Sequence, residues 1–467
     1  MLIEECPYIE PVDAYGAFAP FADSHFLDSG ERDRFSYIVA SPLHKLVSKN
    51  GQVTLDGFPF PGNPFDVLGD LLARYPQERD DELPPFQGGA VGYFGYELAH
   101  QTETLPRAKK DWLGMPDMMV GIYDLVIAFD QDNRKMWLIS TGMPERWGTA
   151  RKQRAEERMA VLRKYLKLAK PLYDVPAVPH VPDVIKWQSN FDRAVFETKV
   201  QKVIDYIFAG DIFQANLSQS IHAEYPRDAI PERFGLYRRL REISSVPFGA
   251  FLNFGDCAVL SNSPERFLKV RDRQVETKPI KGTRPRGDTP LSDAELAQEL
   301  MLSPKDRAEN IMIVDLLRND LSKVCKPHSV NTPAICALES YANVHHLVST
   351  VTGTLRDGKT AVDLLKASFP GGSITGAPKI RAMEIITELE QTTRGAYCGA
   401  IGYIGFDGSM DTNIAIRSLC VNGGKMAFNV GGGIVADSDP ALEYEETLVK
   451  ATKMFELFGL DAEDIAP

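Results

Sequence analysis

The chain has 467 residues, of which 44% are hydrophobic and 25% charged, a composition typical of a soluble globular protein with one large or two ordinary domains. Its net charge of −12 argues against nucleic-acid binding, which needs a basic face, but allows a local cationic pocket for a small anion. The acidic N-terminus lacks signal-peptide features, and no apolar run is long enough to cross a membrane. The six scattered cysteines have no metal-binding spacing, so we expect free thiols and a cytoplasmic location.

Residues 1–143 form a first region that mixes strand and helix patterns. The segments "FSYIVASP", "MMVGIYDLVIAFD" and "KMWLIS" are rich in β-branched and aromatic residues and predict strands, whereas "FDVLGDLLARY" has helical spacing. Residues 144–185 follow as a charged amphipathic helix and a proline-rich linker. We therefore expect a boundary in the sequence near residue 185.

In residues 186–467, helices and strands alternate unevenly. Predicted helices include "DRAVFETKVQKVIDYIFAGD", "SPKDRAENIMIVDLLRNDLSKV" and "PALEYEETLVKATKMFELFGL". Predicted strands come in hairpin-like pairs, such as those in "PFGAFLNFGDCAVLSNSPERFLKV", rather than in βαβ units. This pattern favours a mixed, largely antiparallel α/β architecture.

Two glycine-rich loops fail the tests for nucleotide binding. In "FPGGSITGAPKIRAMEII" the position of the P-loop lysine is held by Ala377, and Lys379 comes two places late after a proline. The segment "NVGGGIVAD" lacks the G-x-G-x-x-G pattern that enters a helix. Both loops are either tight turns or sources of backbone N–H groups for a carboxylate.

Three glutamates have spacing that suits an oxygen-ligand metal site. Glu309 shares one side of its predicted helix with Met312 and Leu316, so its carboxylate must be paired, protonated or bound to metal. Glu443 and Glu446 lie three residues apart on one face of the last helix. Carboxylates without histidine or cysteine suit Mg²⁺, and the alternative is that these are solvated helix faces.

The segment "TKPIKGTRPRGD" predicts a tight turn that carries Lys281 among three other cations. One interpretation is a solvated loop. The other is a nucleophilic lysine whose pKa is lowered by burial and by nearby charges, for which Lys278, Arg284 and Arg286 are candidates.

Several longer motifs occur together in the order in which one enzyme family has them. They are "ELPPFQGGAVGYFGYEL", "SPERF", "PIKGT", "KDRAENIMIVDLLRND", "HHLVST", "FPGGSITGAPKIRAMEII", "GYIGFDGSMDTNIAIR", "GGGIVADSDP" and "EYEET". In these motifs the chain resembles the chorismate-utilising enzymes, most strongly the component I branch of the aminodeoxychorismate synthases. The resemblance implies an α+β fold like that of anthranilate synthase component I, with two large, mostly antiparallel β-sheets packed orthogonally and helices outside.

The resemblance also implies a site. The implied Mg²⁺ ligands are Glu309 and Glu446, with Glu443 close by. The implied catalytic residues are Lys281, Glu265 and His346. The implied substrate-binding residues are Gly282, Thr283, Tyr403, Arg417, Gly431, Gly432, Gly433 and Lys450. A tryptophan pocket is implied at Ser29, Pro247, Phe248 and Gly249.

The implied reaction exchanges the hydroxyl at carbon 4 of chorismate for an amine, giving 4-amino-4-deoxychorismate for para-aminobenzoate and folate synthesis. The chain has no G-x-C-x-G glutaminase motif, so we expect a separate glutamine amidotransferase subunit to supply the ammonia. Alternatives are an anthranilate synthase component I, which aminates carbon 2, an isochorismate or salicylate synthase, which adds water, and a catalytically inactive, amino-acid-binding regulatory subunit.

Overall fold

The computed structural model describes residues 1–30, 32–169, 185–225, 233–341, 344–461 and 465. The strands of the first half are β1 Leu2–Cys6, β2 Ser24–Asp28, β3 Phe35–Val39, β4 His44–Lys49, β5 Gln52–Leu55, β6 Phe58–Phe60, β7 Gly89–Phe94, β8 Met118–Tyr123, β9 Leu125–Asp130, β10 Lys135–Ser140, β11 Trp187–Ser189 and β12 Gln214–Glu224. Those of the second half are β13 Phe248–Asn253, β14 Cys257–Ser263, β15 Arg266–Arg271, β16 Gln274–Thr277, β17 Ile280–Pro285, β18 Asn331–Ser340, β19 Val344–Thr354, β20 Gly376–Ala377, β21 Ala400–Gly405, β22 Met410–Ile414, β23 Ser418–Asn422 and β24 Lys425–Ile434.

Helices lie between these strands in the chain and cover the sheets. The α-helices are α1 Pro11–Gly16, α2 Pro64–Ala73, α3 Gly148–Leu166, α4 Arg193–Phe208, α5 Arg233–Ile243, α6 Pro290–Leu302, α7 Pro304–Ser322, α8 Ala361–Ser368, α9 Lys379–Glu390 and α10 Pro440–Phe458. Two short 3₁₀ helices span Tyr96–Gln101 and Gly372–Ile374. In the described parts of the chain, no helix is both long enough and apolar enough to span a bilayer.

The strands form two large sheets. Sheet 1 has the order β1-β10-β9-β3-β2-β13-β14-β23-β24-β12-β11, and β20 also pairs with β12. Sheet 2 has the order β17-β19-β16-β15-β22-β21-β7-β8-β4-β5-β6, and β18 also pairs with β19. Neighbours such as β12 and β24 or β17 and β19 pair antiparallel. The prediction of two large antiparallel sheets with helices is confirmed.

Both sheets combine strands from either side of the boundary that the sequence suggests. Sheet 1 joins β2 of the first region to β13 of the second, and sheet 2 joins β7 to β21. The charged helix expected after residue 143 is present as α3, which buries Ala155, Met159 and Leu162. The predicted proline-rich linker at 171–184 lies outside the described residues.

The hydrophobic cores lie in layers. One core lies between sheet 1 and its helices, with Phe26 and Leu138 facing Met159 and Phe455. A second lies between the sheets, where Tyr93 of β7 meets Leu252 of β13. A third packs α2, α7, α8 and α9 on the other face of sheet 2. Because the central strands are covered on both faces, β8 and β9 are buried along their whole length instead of alternating.

The segment expected to be a tight turn is instead a strand at the end of sheet 2. In β17, Lys281 pairs with Leu347 and Thr283 with His346 of β19, so Gly282 between them forms a bulge. Gly282 has a φ of +81°, which a side chain rarely adopts, and a Cβ there would lie 2.9 Å from Asp306. The pairing partner is far away in sequence, which explains why local turn signals were misleading.

The N-caps of two helices determine where α7 and α10 begin, and therefore where the predicted metal ligands lie along them. Ser303 accepts a hydrogen bond from the Asp306 N–H at the start of α7, and Asp439 accepts two from the first turn of α10. Such caps contribute about 1 kcal/mol each and define where the helix begins. Glu309 and Glu443 then lie within the first two turns of their helices.

Candidate active site

The candidate site lies at a corner where the two sheets meet between α7 and α10. Sheet 1 contributes Gly431, Gly432 and Gly433 near the end of β24, and sheet 2 contributes Lys281 from β17. A Cβ at Gly433 would lie 3.2 Å from Lys281 Nζ and only 2.2 Å from Gln214 Nε2. The glycines therefore let side chains from neighbouring elements approach the bare backbone of β24.

Lys281 faces an acid and is largely enclosed. Its Nζ lies 3.6 Å from Glu309 Oε2 of α7, and each of the two side chains is 15% exposed. The other cations of its motif are paired elsewhere: Lys278 with Glu339 at 2.7 Å, Arg284 with Glu299 at 2.8 Å and Arg286 with Asp293 at 2.7 Å. The expectation that these three would act on Lys281 finds no support in these contacts.

The carboxylates of α10 converge on Gly432. A Cβ there would lie 3.2 Å from Glu443 Oε2 and 3.4 Å from Glu446 Oε1. Glu446 pairs with Lys450 at 2.6 Å, and Lys450 donates to the Gly431 carbonyl at 2.9 Å. Burial raises the pKa of Glu443, whereas for Glu446 the effect of burial is outweighed by Lys450, and its pKa is lowered.

Every ligand that these glutamates offer is an oxygen. In the described part of the chain, no three His, Cys, Asp or Glu side chains are close enough together to hold a metal ion alone. Mg²⁺ commonly binds through one or two carboxylates and completes its shell with water and an anionic ligand. The residues present therefore fit Mg²⁺ shared with a bound anion.

Glu265 is the buried acid of the site. It is 7% exposed, and burial raises the pKa of its carboxyl to about 7, although a hydrogen bond from Ser373 and the charges of Lys281 and Arg417 act in the opposite direction. The group therefore exists in both protonation states near neutral pH. A carboxyl poised in this way can donate and accept a proton.

Three further predicted residues are His346, Thr283 and Arg417, of which Arg417 acts on Glu265 through its charge. His346 Nδ1 and Thr283 Oγ1 are 2.9 Å apart, across the β17–β19 pairing. Burial and the Arg417 charge lower the pKa of His346, so its ring is neutral at neutral pH. Arg417 has a left-handed φ of +51°, which is uncommon for a residue with a side chain, and residues held in such conformations cluster at functional sites.

Tyr403 lies away from this corner. Its ring is 8% exposed and packs between the sheets, with ring centroids 4.6 Å from Phe86 and 5.7 Å from Tyr37. Its role in binding substrate stays a prediction.

The residues of the implied tryptophan pocket lie together at one end of the β2–β13 pair in sheet 1: Ser29 directly follows β2, Pro247 directly precedes β13, and Phe248 and Gly249 begin β13. Gly249 pairs with Asp28, next to Ser29, and Ser29 Oγ is 3.0 Å from Ser36 Oγ. The Asp28 carboxylate accepts hydrogen bonds from Tyr237 and Arg241. Pro247 and Phe248 are half-buried beside them. Occupancy by tryptophan stays a prediction.

Comparisons with known proteins identify the family of the chain. A family model described as chorismate binding enzyme matches residues 23–456. The chain belongs to this family. It is 41% identical over 437 residues to aminodeoxychorismate synthase component 1 of Salmonella typhimurium, covering 90% of this chain and 89% of that protein. It is 39% identical to anthranilate synthase component 1 of Thermus thermophilus, covering 96% of each.

Solved structures of the family share the fold. Anthranilate synthase component I from Streptococcus pneumoniae superposes with a TM-score of 0.80 at 33% identity, covering 90% of this chain and 92% of that one. The predicted fold and family are therefore confirmed.

Two residues of this chorismate binding enzyme were missed from the sequence. Ser373 donates a hydrogen bond to Glu265 from the 3₁₀ helix of the "FPGGSITGAPK" loop. Gln214 lies at the start of β12, with its side chain against Gly433. Ser373 stands within a recognised motif and could have been named, whereas Gln214 has no local signal.

Proposed function

We propose that the protein acts as an aminodeoxychorismate synthase component I, which converts chorismate and ammonia to 4-amino-4-deoxychorismate for para-aminobenzoate and folate synthesis. The observation that carries the proposal is the position of Lys281, whose amine lies at the corner formed by Glu309 and Gly433 and influences the pKa of Glu265. Relatives from three enteric bacteria that carry this name are 40–41% identical to the chain.

The corner has the charges that a dianionic substrate needs. Chorismate carries two carboxylates. Arg417 offers a bidentate donor and the β24 segment Gly431–Gly433 offers backbone groups, while Thr283 lies beside His346. Glu309 and Glu446, with Glu443 close by, would hold Mg²⁺, which would supply positive charge for the ring carboxylate. The all-oxygen donor set supports this assignment.

In the first step, Lys281 forms a bond from Nζ to carbon 2 of the ring. Both conjugated double bonds of the ring shift, one from carbons 1 and 2 to carbons 1 and 6 and the other from carbons 5 and 6 to carbons 4 and 5, and the bond between carbon 4 and its hydroxyl breaks. Glu265 donates the proton that lets the hydroxyl leave as water, which its pKa of about 7 permits. The products are a ring attached to Lys281 as a secondary ammonium and an ionised Glu265.

In the second step, ammonia forms a bond to carbon 4. Both double bonds shift back to their original positions, and Lys281 leaves carbon 2 as a neutral amine. The new ammonium group gives one proton to Glu265, which returns to its acid form. Both steps balance, and one difficult substitution becomes two easier ones.

We further propose that ammonia comes from a separate glutamine amidotransferase subunit. The absence of a G-x-C-x-G motif from the sequence supports a second chain. We place the protein in the cytoplasm, because all six of its cysteines are free thiols, and reduced thiols persist in that compartment.

Incubation of the purified chain with chorismate, Mg²⁺ and ammonium salts tests the proposed function. A product that an added lyase converts to para-aminobenzoate is expected. Anthranilate, detected by its fluorescence, would instead assign the chain to the anthranilate synthases, a second candidate favoured by the 39% identity to the Thermus thermophilus protein. No turnover would favour the inactive regulatory subunit.

A further inference from the structure

A cavity of about 230 Å³ lies beside the loop of residues 102–117, which joins the first 3₁₀ helix to β8. At roughly 30 Å³ for each water molecule, it has room for about seven or eight of them. Its lining includes none of the residues predicted to bind chorismate, Mg²⁺ or tryptophan. The cavity is therefore separate from the sites described above.

The loop over the cavity is held in place by its backbone. The Lys110 N–H donates to the Gln391 carbonyl at 3.0 Å, and the Lys110 carbonyl accepts from the Thr393 N–H at 2.9 Å. The Asp111 carboxylate accepts a further hydrogen bond from the Thr393 hydroxyl at 2.9 Å. The shape of the cavity is thus set by the fold, as is usual for sites that bind small molecules.

Most acids in the lining are neutralised by cations of the same lining. Lys49 Nζ lies 2.6 Å from Asp111 Oδ2 and 3.4 Å from Asp117 Oδ1. Glu390 forms a buried pair with Arg394 at 2.7 Å. These pairs leave little net charge from Lys49 and Arg394 for a ligand to meet.

The entrance of the cavity has two cations without acidic partners. Arg107 and Lys109 line the cavity and are exposed. Arg107 donates to the Asn50 amide oxygen at 3.2 Å, and in the described part of the chain neither cation forms an ion pair. Unpaired cations at the mouth of a cavity favour an anionic ligand.

One wall of the cavity is apolar. Met383 and Ile386 of α9 are buried, Leu105 of the loop is half-buried, and all three line the cavity. An organic ligand gains free energy when its apolar body leaves water for such a wall, whereas inorganic phosphate does not. The cavity therefore favours an organic anion.

Glu97 differs from the other acids of the lining, because it forms no ion pair with any residue that the structure describes. Its carboxyl accepts the N–H groups of Arg394 at 2.7 Å and Gly395 at 3.0 Å, which leaves lone pairs for a further donor. Burial raises the pKa of Glu97 to about 7, although the Arg394 N–H acts in the opposite direction. The hydroxyl of Tyr96, in the same lining, is buried and has no hydrogen-bond partner among the described residues.

We propose that this cavity binds a small monocarboxylate that has a hydrogen-bond donor at the opposite end of an apolar body. The carboxylate contacts Arg107 and Lys109 at the entrance. The body packs against Met383 and Ile386, and the donor reaches Glu97. The inference goes beyond the proposed function and does not depend on it.

Calorimetric titration of the full chain, without Mg²⁺ or chorismate, tests the proposal with three probes. Para-aminobenzoate has a carboxylate and a donor at opposite ends of a ring. Para-methylbenzoate has the same shape, but a methyl group replaces the amine. Inorganic phosphate has the charge without the apolar body.

Para-aminobenzoate is expected to bind at this cavity with a dissociation constant below about 1 mM, the range of a small ligand with few contacts. Para-methylbenzoate should bind about fivefold more weakly, because it offers Glu97 no donor. Phosphate should bind more weakly than either benzoate.

Variants of the chain locate the binding. The double variant Arg107→Gln/Lys109→Gln should weaken the binding of para-aminobenzoate by roughly tenfold or more, since both charge-assisted contacts are lost. Lys110→Gln is the matched control, because Lys110 is exposed in the same loop but does not line the cavity. This control and Arg417→Gln, which alters the predicted chorismate site, should both keep wild-type affinity.

Absence of para-aminobenzoate binding would overturn the proposal. Unchanged affinity in the double variant, or an equal loss in Lys110→Gln, would also overturn it. Loss of affinity in Arg417→Gln would assign the binding to the chorismate site instead. Equal affinity for the two benzoates would contradict the contact with Glu97, and equal affinity for phosphate would contradict the organic ligand. No turnover is measured, so these outcomes are independent of the proposed function.

Discussion

Lys281 and Lys379 both follow short loops rich in glycine or proline, yet the hydrogen-bond partners of their amines differ. Lys379 is buried and donates to Asp320 at 2.6 Å and to the carbonyls of Ser368 and Pro370, each at 2.9 Å. Among the residues that the structure describes, Lys281 has one carboxylate partner, Glu309, at 3.6 Å. An ammonium group with three donors is saturated in the first case and largely available in the second.

The difference shows how neighbours decide what a lysine can do. Lys379 ties α7 and α9 to the loop that carries Ser373, so it stabilises the fold around the site. Lys281 stands on an end strand beside bare glycine backbone, where a substrate can reach it. We therefore expect substitutions of the first to affect stability and those of the second to affect chemistry.

The largest effect is expected for Lys281→Ala. Loss of the nucleophile should lower amination at carbon 4 by roughly 10³-fold or more, which is typical when a covalent catalyst is removed. The measurement is the ammonium-driven rate coupled to the lyase. Lys278→Ala is the matched control, because that lysine lies in the same motif but pairs with Glu339.

A wild-type rate in Lys281→Ala would contradict the nucleophile and indicate direct attack by ammonia. Formation of anthranilate by this variant would show that Lys281 acts by blocking carbon 2.

Lys379→Met should come next, and its effect should be on folding. The change leaves the Asp320 carboxylate, which is 2% exposed, without its closest partner, and breaking a buried pair costs about 3–5 kcal/mol. The measurement is the free energy of unfolding in denaturant. The control is Lys323→Met, since Lys323 pairs with the same Asp320 but is 49% exposed, and its loss should cost less than about 1 kcal/mol. Equal costs for the two variants would contradict the comparison.

Glu265→Gln should lower the rate by roughly 10²-fold, the usual contribution of a general acid. The acid form is present below its pKa of about 7, so the wild-type rate should fall as the pH rises through 7, and Glu265→Gln should lose that inflection.

Ser373→Ala removes a hydrogen bond that lowers the pKa of Glu265, so this variant should move the inflection to higher pH. An inflection unchanged in both variants would assign the titration to another group.

The smallest of these effects is expected for Glu446→Gln. Loss of one carboxylate should weaken Mg²⁺ binding by roughly tenfold or more, as measured by calorimetry with chorismate present. Glu445→Gln, at the next residue, is the control, because Glu445 pairs with Arg193 on the outer surface. Similar affinities in both variants would contradict the assigned ligands.

The sequence predicts most of the elements because their signals are local. The period of α7 and α10 places Glu309 and the pair Glu443 and Glu446 on their helices, and the structure has them there. The strand order could not be predicted from local sequence patterns, because β2 pairs with β13 more than 200 residues later. The strand at Lys281 was mistaken for a turn for the same reason, since its partner β19 is distant.

The side chains of the site also depend on contacts between distant segments, which the sequence does not reveal. Motif matching gives positions but does not say which face of a strand a residue occupies, and Tyr403 on β21 lies between the sheets. Gln214 takes part because the fold brings β12 to the corner, which no spacing in the sequence reveals. Contacts between distant segments are what the structure adds.

The most direct test of the central claim is the intact mass of the chain incubated with chorismate and Mg²⁺ in the absence of any ammonia. If Lys281 attacks carbon 2, part of the protein should gain the mass of one chorismate less one water. Peptide mapping should place the addition on Lys281, and added ammonium should remove it. An unmodified mass under conditions where ammonium supports turnover would contradict the covalent account.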